Sequence, residues 1–165
     1  MDFIHDTLAD GRTVRILTAI DVFSRECVAL EPAATFRGSD VARILGTAKL
    51  ERDLPQRIHV DNGTEFTSKA FDHWAYWNQV ELDFSRPGKP TDNPFIEAFN
   101  ATLRRECLSQ HWFIGLEDAP TTLERWKEDY NNTRPHSSLK NLPPAHFRAG
   151  GVFTPDRNRL QAWRS

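Results

Sequence analysis

The chain has 165 residues, a single-domain length, and its 39% hydrophobic and 27% charged residues describe a folding chain rather than a disordered one. No run approaches the roughly 18 apolar residues of a membrane-spanning helix, and the first residues lack the basic-then-apolar form of a leader. Cys27 and Cys107 lie too far apart for a zinc pairing or a disulfide framework, so the expectation is a soluble protein in a reduced, cytoplasmic setting. The net charge of −2 speaks against the usual basic nucleic-acid binder, but it is uneven, with −5 in residues 1–83 and +3 in residues 84–165.

Met1 to His5 alternates polar and apolar as a strand does. Asp10-Gly11 is a hairpin signal, Thr13 to Ile20 reads as a second strand, and Glu26 to Leu30 as a third beyond the turn Asp21 to Arg25, which together predict an antiparallel meander. Ser39 or Asp40 is placed to cap a helix running to about Arg52, with Val41, Ile44, Leu45 and Ala48 inward. A fourth strand, Arg57 to Val60, follows Pro55. Thr67 or Ser68 starts the next helix, and Val80 to Phe84 is a fifth short strand. Residues 85–93, rich in proline and glycine, read as a mobile loop.

Pro94 then suits the first position of a helix whose N-cap is supplied by Thr91, Asp92 or Asn93. Ile96, Phe99, Leu103 and Cys107 form its buried stripe, and Glu97 lies beside that stripe with Asn100, Ala101 and Arg104. A further amphipathic helix is predicted from Leu116 to about Tyr130, with Pro120 tolerable only in its first turn. Residues 131–147 read as an irregular strap and residues 148–165 as a loosely ordered tail.

The chemistry concentrates between Asp61 and Glu97. Asp61 leaves the fourth strand into Asn62-Gly63-Thr64-Glu65-Phe66, a turn-forming word at a strand's C-terminal rim, where reactive groups gather in open α/β sheets. Glu97, in the first turn of its helix, is favoured in ionised form by the helix dipole, by about 0.3–1 kcal/mol. Carboxylates in that state are the ligands a hard cation requires, so Asp61 and Glu97 read as two ligands of a metal site. A lone aspartate at a strand end is ordinarily a turn or cap residue, which is the reading given to Asp6 and Asp21, with Glu65 as a further acidic bystander. Trp74, Trp77 and Trp126, at helical spacing, are expected in the core rather than stacked on bases.

Three words in the chain resemble the integrase core of bacterial insertion-sequence transposases: Asp2-Phe3, Asp61 to Phe66, and Asn93-Pro94-Phe95-Ile96-Glu97-Ala98-Phe99-Asn100. The strap Tyr130-Asn131-Asn132-Thr133-Arg134-Pro135-His136-Ser137-Ser138-Leu139, followed by Pro144 and Phe147, is similar to the insertion-sequence-three family specifically. Thirty-five residues separate Asp61 from Glu97, the spacing of that superfamily. The resemblance implies a ribonuclease-H-like α/β fold over residues 1–147, with a five-stranded mixed sheet, meander first and parallel strands after, flanked by helices. It makes Asp2, Asp61 and Glu97 the catalytic carboxylates and the ligands of a two-metal Mg²⁺ or Mn²⁺ site. Arg86, Lys89, Asn100, Arg104, Arg105, Arg134 and His136 become the expected DNA contacts. The helix-turn-helix region that members carry ahead of the core is expected to be absent.

The implied activity is metal-dependent nicking and strand transfer of insertion-sequence ends, by a DNA nucleotidyltransferase acting as a dimer. The alternatives are a nuclease of the same fold, with water as its only nucleophile, and a truncated non-catalytic remnant that associates with an intact transposase.

Overall fold

The structure, a computed structural model, describes residues 1–50, 52–86 and 93–150. Strands β1 (Asp2–Thr7), β2 (Thr13–Ile20) and β3 (Cys27–Ala33) form the expected antiparallel meander, with Asp2 opposite Thr18 and Ile20 opposite Cys27. The first turn depends on glycine: Gly11 has φ +85°, while Asp10 accepts the Arg12 amide at 2.9 Å. In the second turn the Asp21 carboxylate accepts the amides of Phe23 and Ser24 at 2.8 and 3.0 Å. Asp21 is thus the turn residue the sequence suggests.

Strands β4 (Arg57–Val60) and β5 (Glu81–Phe84) pair in parallel and are connected by helix α2 (Lys69–Trp77), which Ser68 caps by accepting the Phe71 amide at 3.3 Å. All five expected strands are present, but as a three-stranded and a two-stranded sheet rather than one continuous ladder. The amino group of Met1 donates to the carbonyl oxygen of His59 at 2.7 Å and so fixes β1 beside β4. Because Met1 stands level with the third residue of a four-residue strand, the two strands overlap too briefly for a ladder.

Side chains alternate along the meander, and each face has its own core. Ile4, Val14, Ile16 and Leu30 face helices α3 (Pro94–Glu106) and α4 (Ala119–Asn132), meeting Ile96, Phe99, Leu103, Leu123 and Tyr130. Leu17, Ala19 and Ala29 face helix α1 (Gly38–Ala48) and α2, meeting Val41, Ile44, Leu45, Phe66 and Phe71. Each fully buried Leu or Phe contributes about 1.5–3 kcal/mol. The Phe99 and Leu103 stripe therefore seats α3 firmly against the sheet.

Several boundaries differ from the sequence reading. The N-cap of α1 is Arg37, whose amide donates to Asp40 Oδ2 at 2.8 Å, so Asp40 caps from inside the helix; the helix ends at Ala48, short of Arg52. Helix α4 begins at Ala119, which puts Pro120 in the first turn, where its missing amide costs nothing. The strap is more ordered than expected. Asn131 and Asn132 close α4, Ser137–Leu139 makes a 3₁₀ turn, and Pro144–Arg148 forms a short helix, α5. Asn131 accepts the Cys27 amide at 2.8 Å and donates to the Cys27 carbonyl at 2.9 Å, so its side chain imitates a neighbouring strand at the edge of β3. Trp77 corrects the core assignment: it is 81% exposed, whereas Trp74 stacks on Phe71 and Trp126 packs against Phe99. No helix among the described residues is long and apolar enough to cross a membrane.

Candidate active site

Asp2 enters the site from the first residue of β1. The hydroxyl of Thr18, fully buried on β2, donates to the Asp2 carbonyl at 3.1 Å and holds the backbone there. The Asp2 carboxylate accepts the Phe3 amide on Oδ1 at 2.7 Å and the Asn100 side-chain amide on Oδ2 at 2.8 Å. Burial raises its pKa above the ordinary carboxylate value and the charge of Asp61 raises it further, against the opposing pull of the Phe3 amide, the terminal ammonium and Asn100. Two carboxylates therefore share one electrostatic neighbourhood at the sheet rim. The amino group of Met1 lies in it too, and its burial lowers its pKa to about 6.

Asp61 leaves β4 exposed and folds into an Asx turn, with Oδ1 accepting the Gly63 amide at 2.8 Å. A side chain at position 63 would crowd the Asp61 carboxylate: a Cβ would stand 2.9 Å from Asp61 Oδ1 and 3.4 Å from Glu65 Oε2. Glu65, read from the sequence as a bystander, is buried and ion-paired with Arg15 of β2. Burial alone would raise its pKa, but the hydrogen bond and charge of Arg15 outweigh this and hold it below the ordinary value.

Glu97 occupies the exposed side of α3, one turn ahead of Asn100. The helix thus reaches Asp2 through Asn100, and Glu97 extends the same row toward the helix N-terminus. Among the described residues, no three His, Cys, Asp or Glu side chains gather closely enough to form a metal-binding group. Asp2 and Asp61 are brought together; Glu97 stands apart from them.

The expected DNA contacts are distributed differently from one another. Asn100 is 9% exposed and turned onto Asp2, with its Oδ1 buried and lacking a protein partner. Arg104 donates to the His5 carbonyl at 2.8 Å, pinning α3 to β1. Arg134 grips Glu106 through both guanidinium nitrogens, and Arg105 donates to the same carboxylate at 2.9 Å. His136 sets its ring edge-on to Tyr130 with centroids 4.7 Å apart; burial lowers its pKa and the nearby Arg134 charge lowers it further. Arg86 follows β5 on the surface, and Lys89 lies outside the described residues.

Known proteins match this chain over nearly its whole length. Two family models, each described as an integrase core domain, match residues 1–90 and 78–144. An uncharacterized 31.7 kDa protein of insertion element IS407 from Burkholderia multivorans is 44% identical over 156 residues, covering 94% of this chain and 56% of the relative. A 39.2 kDa protein of IS476 from Xanthomonas euvesicatoria is 42% identical, covering 90% and 43%. The transposase InsF of IS3A from Escherichia coli is 26% identical, covering 80% and 47%. The chain thus spans about half the length of these relatives. The fold is also that of retroviral integrase cores: the HTLV-2 integrase catalytic core domain in complex with magnesium superposes with a TM-score of 0.70 at 13% identity, covering 88% of this chain and 91% of that one. A chain of the simian T-cell lymphotropic virus intasome in complex with the PP2A regulatory subunit B56 gamma gives 0.74 at 19%, covering 93% and 54%. With one family model matching over half of its length, the chain belongs to the integrase core domain family, among members of the insertion-sequence-three transposase type.

Proposed function

We propose that this chain is the catalytic core of a DNA transposase, nicking the ends of an insertion element and joining them to target DNA. The observation that carries the reading is the pair Asp2 and Asp61, two carboxylates close enough to raise the pKa of one of them, beside a helix that presents Glu97 one turn from the Asp2 contact. A like-charged oxygen pair is a donor set that fits a hard divalent cation, whose charge relieves the repulsion. Asp2 and Asp61 are the residues that would hold Mg²⁺ or Mn²⁺, and Glu97, which does not group with them in this structure, is assigned as the third ligand from its place in the family's motif. When bound, the ions supply activation of the attacking oxygen and stabilisation of the leaving oxygen in an in-line displacement at phosphorus.

The chain's own part is positioning. Thr18 and Asn100 fix the Asp2 backbone and carboxylate. The Asx turn at Gly63 holds one oxygen of Asp61 and leaves the other available. Arg86 and Lys89, on the segment between β5 and α3, are the side chains we assign to the DNA backbone; Arg104, Arg105 and Arg134 add positive charge, and His136, neutral when its pKa is lowered, would contact DNA as a hydrogen-bonding ring. Each phosphate neutralised makes affinity more salt-dependent. We assign the active assembly as a dimer, since strand transfer joins two ends at once.

The test is product analysis on a labelled element end with Mn²⁺. Joined DNA species support the transposase, nicks without joining leave a nuclease, and inactivity of the chain with intact metal binding indicates a non-catalytic associate. Asp61→Asn, which removes charge at nearly constant volume, is expected to weaken Mn²⁺ binding at least tenfold with the melting temperature retained; equal affinity by calorimetry would count against the assignment. Glu97→Gln is expected to abolish cleavage.

A further inference from the structure

Glu65 and Arg15 take no part in the metal set just proposed, yet they form a shielded ion pair in the turn that carries Asp61. Glu65 is 8% exposed, in the turn that carries Asp61; Arg15 reaches it from β2, with side chains 10% and 23% exposed. The pair is packed against both its neighbouring layers. The Arg15 guanidinium lies over the Phe3 ring, 4.3 Å from its centroid, and Phe3 in turn stacks on Phe66 at 5.1 Å, so the cation stands on the residue next to Asp2. Thr64 donates to Glu65 Oε2 at 3.2 Å, and the Glu65 carbonyl accepts the Ser68 hydroxyl at 2.8 Å. Helix α1 closes over this point: a Cβ on Gly38 would come within 2.7 Å of the Glu65 carbonyl and 1.7 Å of Ser68 Oγ.

The position of Gly63 connects this pair to the site. The amide of Gly63 is the donor that orients Asp61, and a Cβ built on this glycine would lie 2.9 Å from Asp61 Oδ1 and 3.4 Å from Glu65 Oε2, so the two carboxylates flank the same residue. An exposed Asx turn of this kind is soft by itself. A buried charge pair at its far end, anchored to the central strand, removes the freedom to drift, because breaking such a pair strands a charge in a poorly solvated place. We infer that Arg15 and Glu65 are positioning residues, a latch that fixes the Asp61 turn to the β1–β2 hairpin and so sets the distance between Asp61 and Asp2. This rests on the transposase reading for its purpose, but not for its existence.

Two readouts separate those levels. Hydrogen exchange at the Gly63 amide reports the turn without reference to any metal, and Mn²⁺ titration reports the site. Glu65→Ala and Arg15→Ala are each expected to speed Gly63 exchange at least tenfold, to weaken Mn²⁺ binding about tenfold, and to show no added effect when combined. Glu65→Gln, which still accepts from Arg15 and Thr64, is expected to stay within about threefold of the parent in both. Exchange at Leu103, in the α3 core, controls for general loosening and is expected to stay unchanged. Unchanged Gly63 exchange in both alanine variants overturns the latch, as does a Glu65→Gln variant as impaired in Mn²⁺ binding as Glu65→Ala, which would make Glu65 a ligand. A parent that binds no Mn²⁺, with Gly63 exchange responding as described, leaves the latch standing and removes the transposase reading instead.

Discussion

Asn100 is the residue whose role changes most between sequence and structure. Read in line, it sits in a helical row with Glu97 and Arg104, facing whatever the helix faces; in space its amide is turned onto the Asp2 carboxylate. A hydrogen bond to an ionised group is worth about 1.5–3 kcal/mol, and this one favours the charged form of Asp2. Asn100→Ala is therefore expected to raise the Asp2 pKa, moving the acidic limb of the pH–rate profile to higher pH. An unmoved limb would show that Asn100 does not touch the ionisation. Asp2 also carries a stability consequence. Its folded pKa lies above the unfolded value, so the folded state holds its proton more tightly, and stability falls as pH rises through that window. Asp2→Asn is expected to melt at or above the parent temperature at pH 7 while losing all cleavage, a result scanning calorimetry would give directly.

Helix α3 and the segment after α4 are joined by Glu106 and Arg134. Burial alone would raise the Glu106 pKa, but the bonds from Arg134 and Arg105 outweigh it and leave the carboxyl below its ordinary 4.5. A depressed carboxylate stabilises the fold above its unfolded pKa, and this contribution disappears as pH falls through the folded value. With both side chains still touching solvent, its size is about 1 kcal/mol. Glu106→Gln should thus lower stability at pH 7 and flatten the decline below pH 4.5, as chemical denaturation across that range would record. At the other face, α1 can approach the Asp61 turn only because residue 38 has no side chain. Gly38→Ala forces a Cβ against Ser68 and the Glu65 carbonyl, and is expected to cost about 1–3 kcal/mol through overpacking. The exposed Trp77 provides the contrast at element scale: Trp77→Ala is expected to shift stability by less than about 0.5 kcal/mol.

At the scale of the whole molecule, the order of elements, the meander, the rim position of Asp61 and the seating of α3 were all legible in the chain. Period-two and period-3.6 patterns, Asp10-Gly11 and Pro94 are local signals, and local signals survive in sequence. Helix ends were legible less well, because Asp40 acts from inside α1 and Asn131 satisfies a strand edge 104 residues away. Trp77 was misplaced because helical spacing names a face without saying how far the neighbouring layer extends. The site divided in the same manner. Sequence alone named the candidates, Asp61 and Glu97 from turn and helix chemistry and Asp2 from the family resemblance, and showed a basic second half. Only the tertiary structure decided that Asp2 meets Asp61 and Asn100, that Arg15 meets Glu65, and that Arg104 and Arg134 are engaged by the protein itself. Each of these contacts joins residues 28 to 99 positions apart. Pairings at that separation follow from how the layers stack, and no local pattern in the chain encodes them.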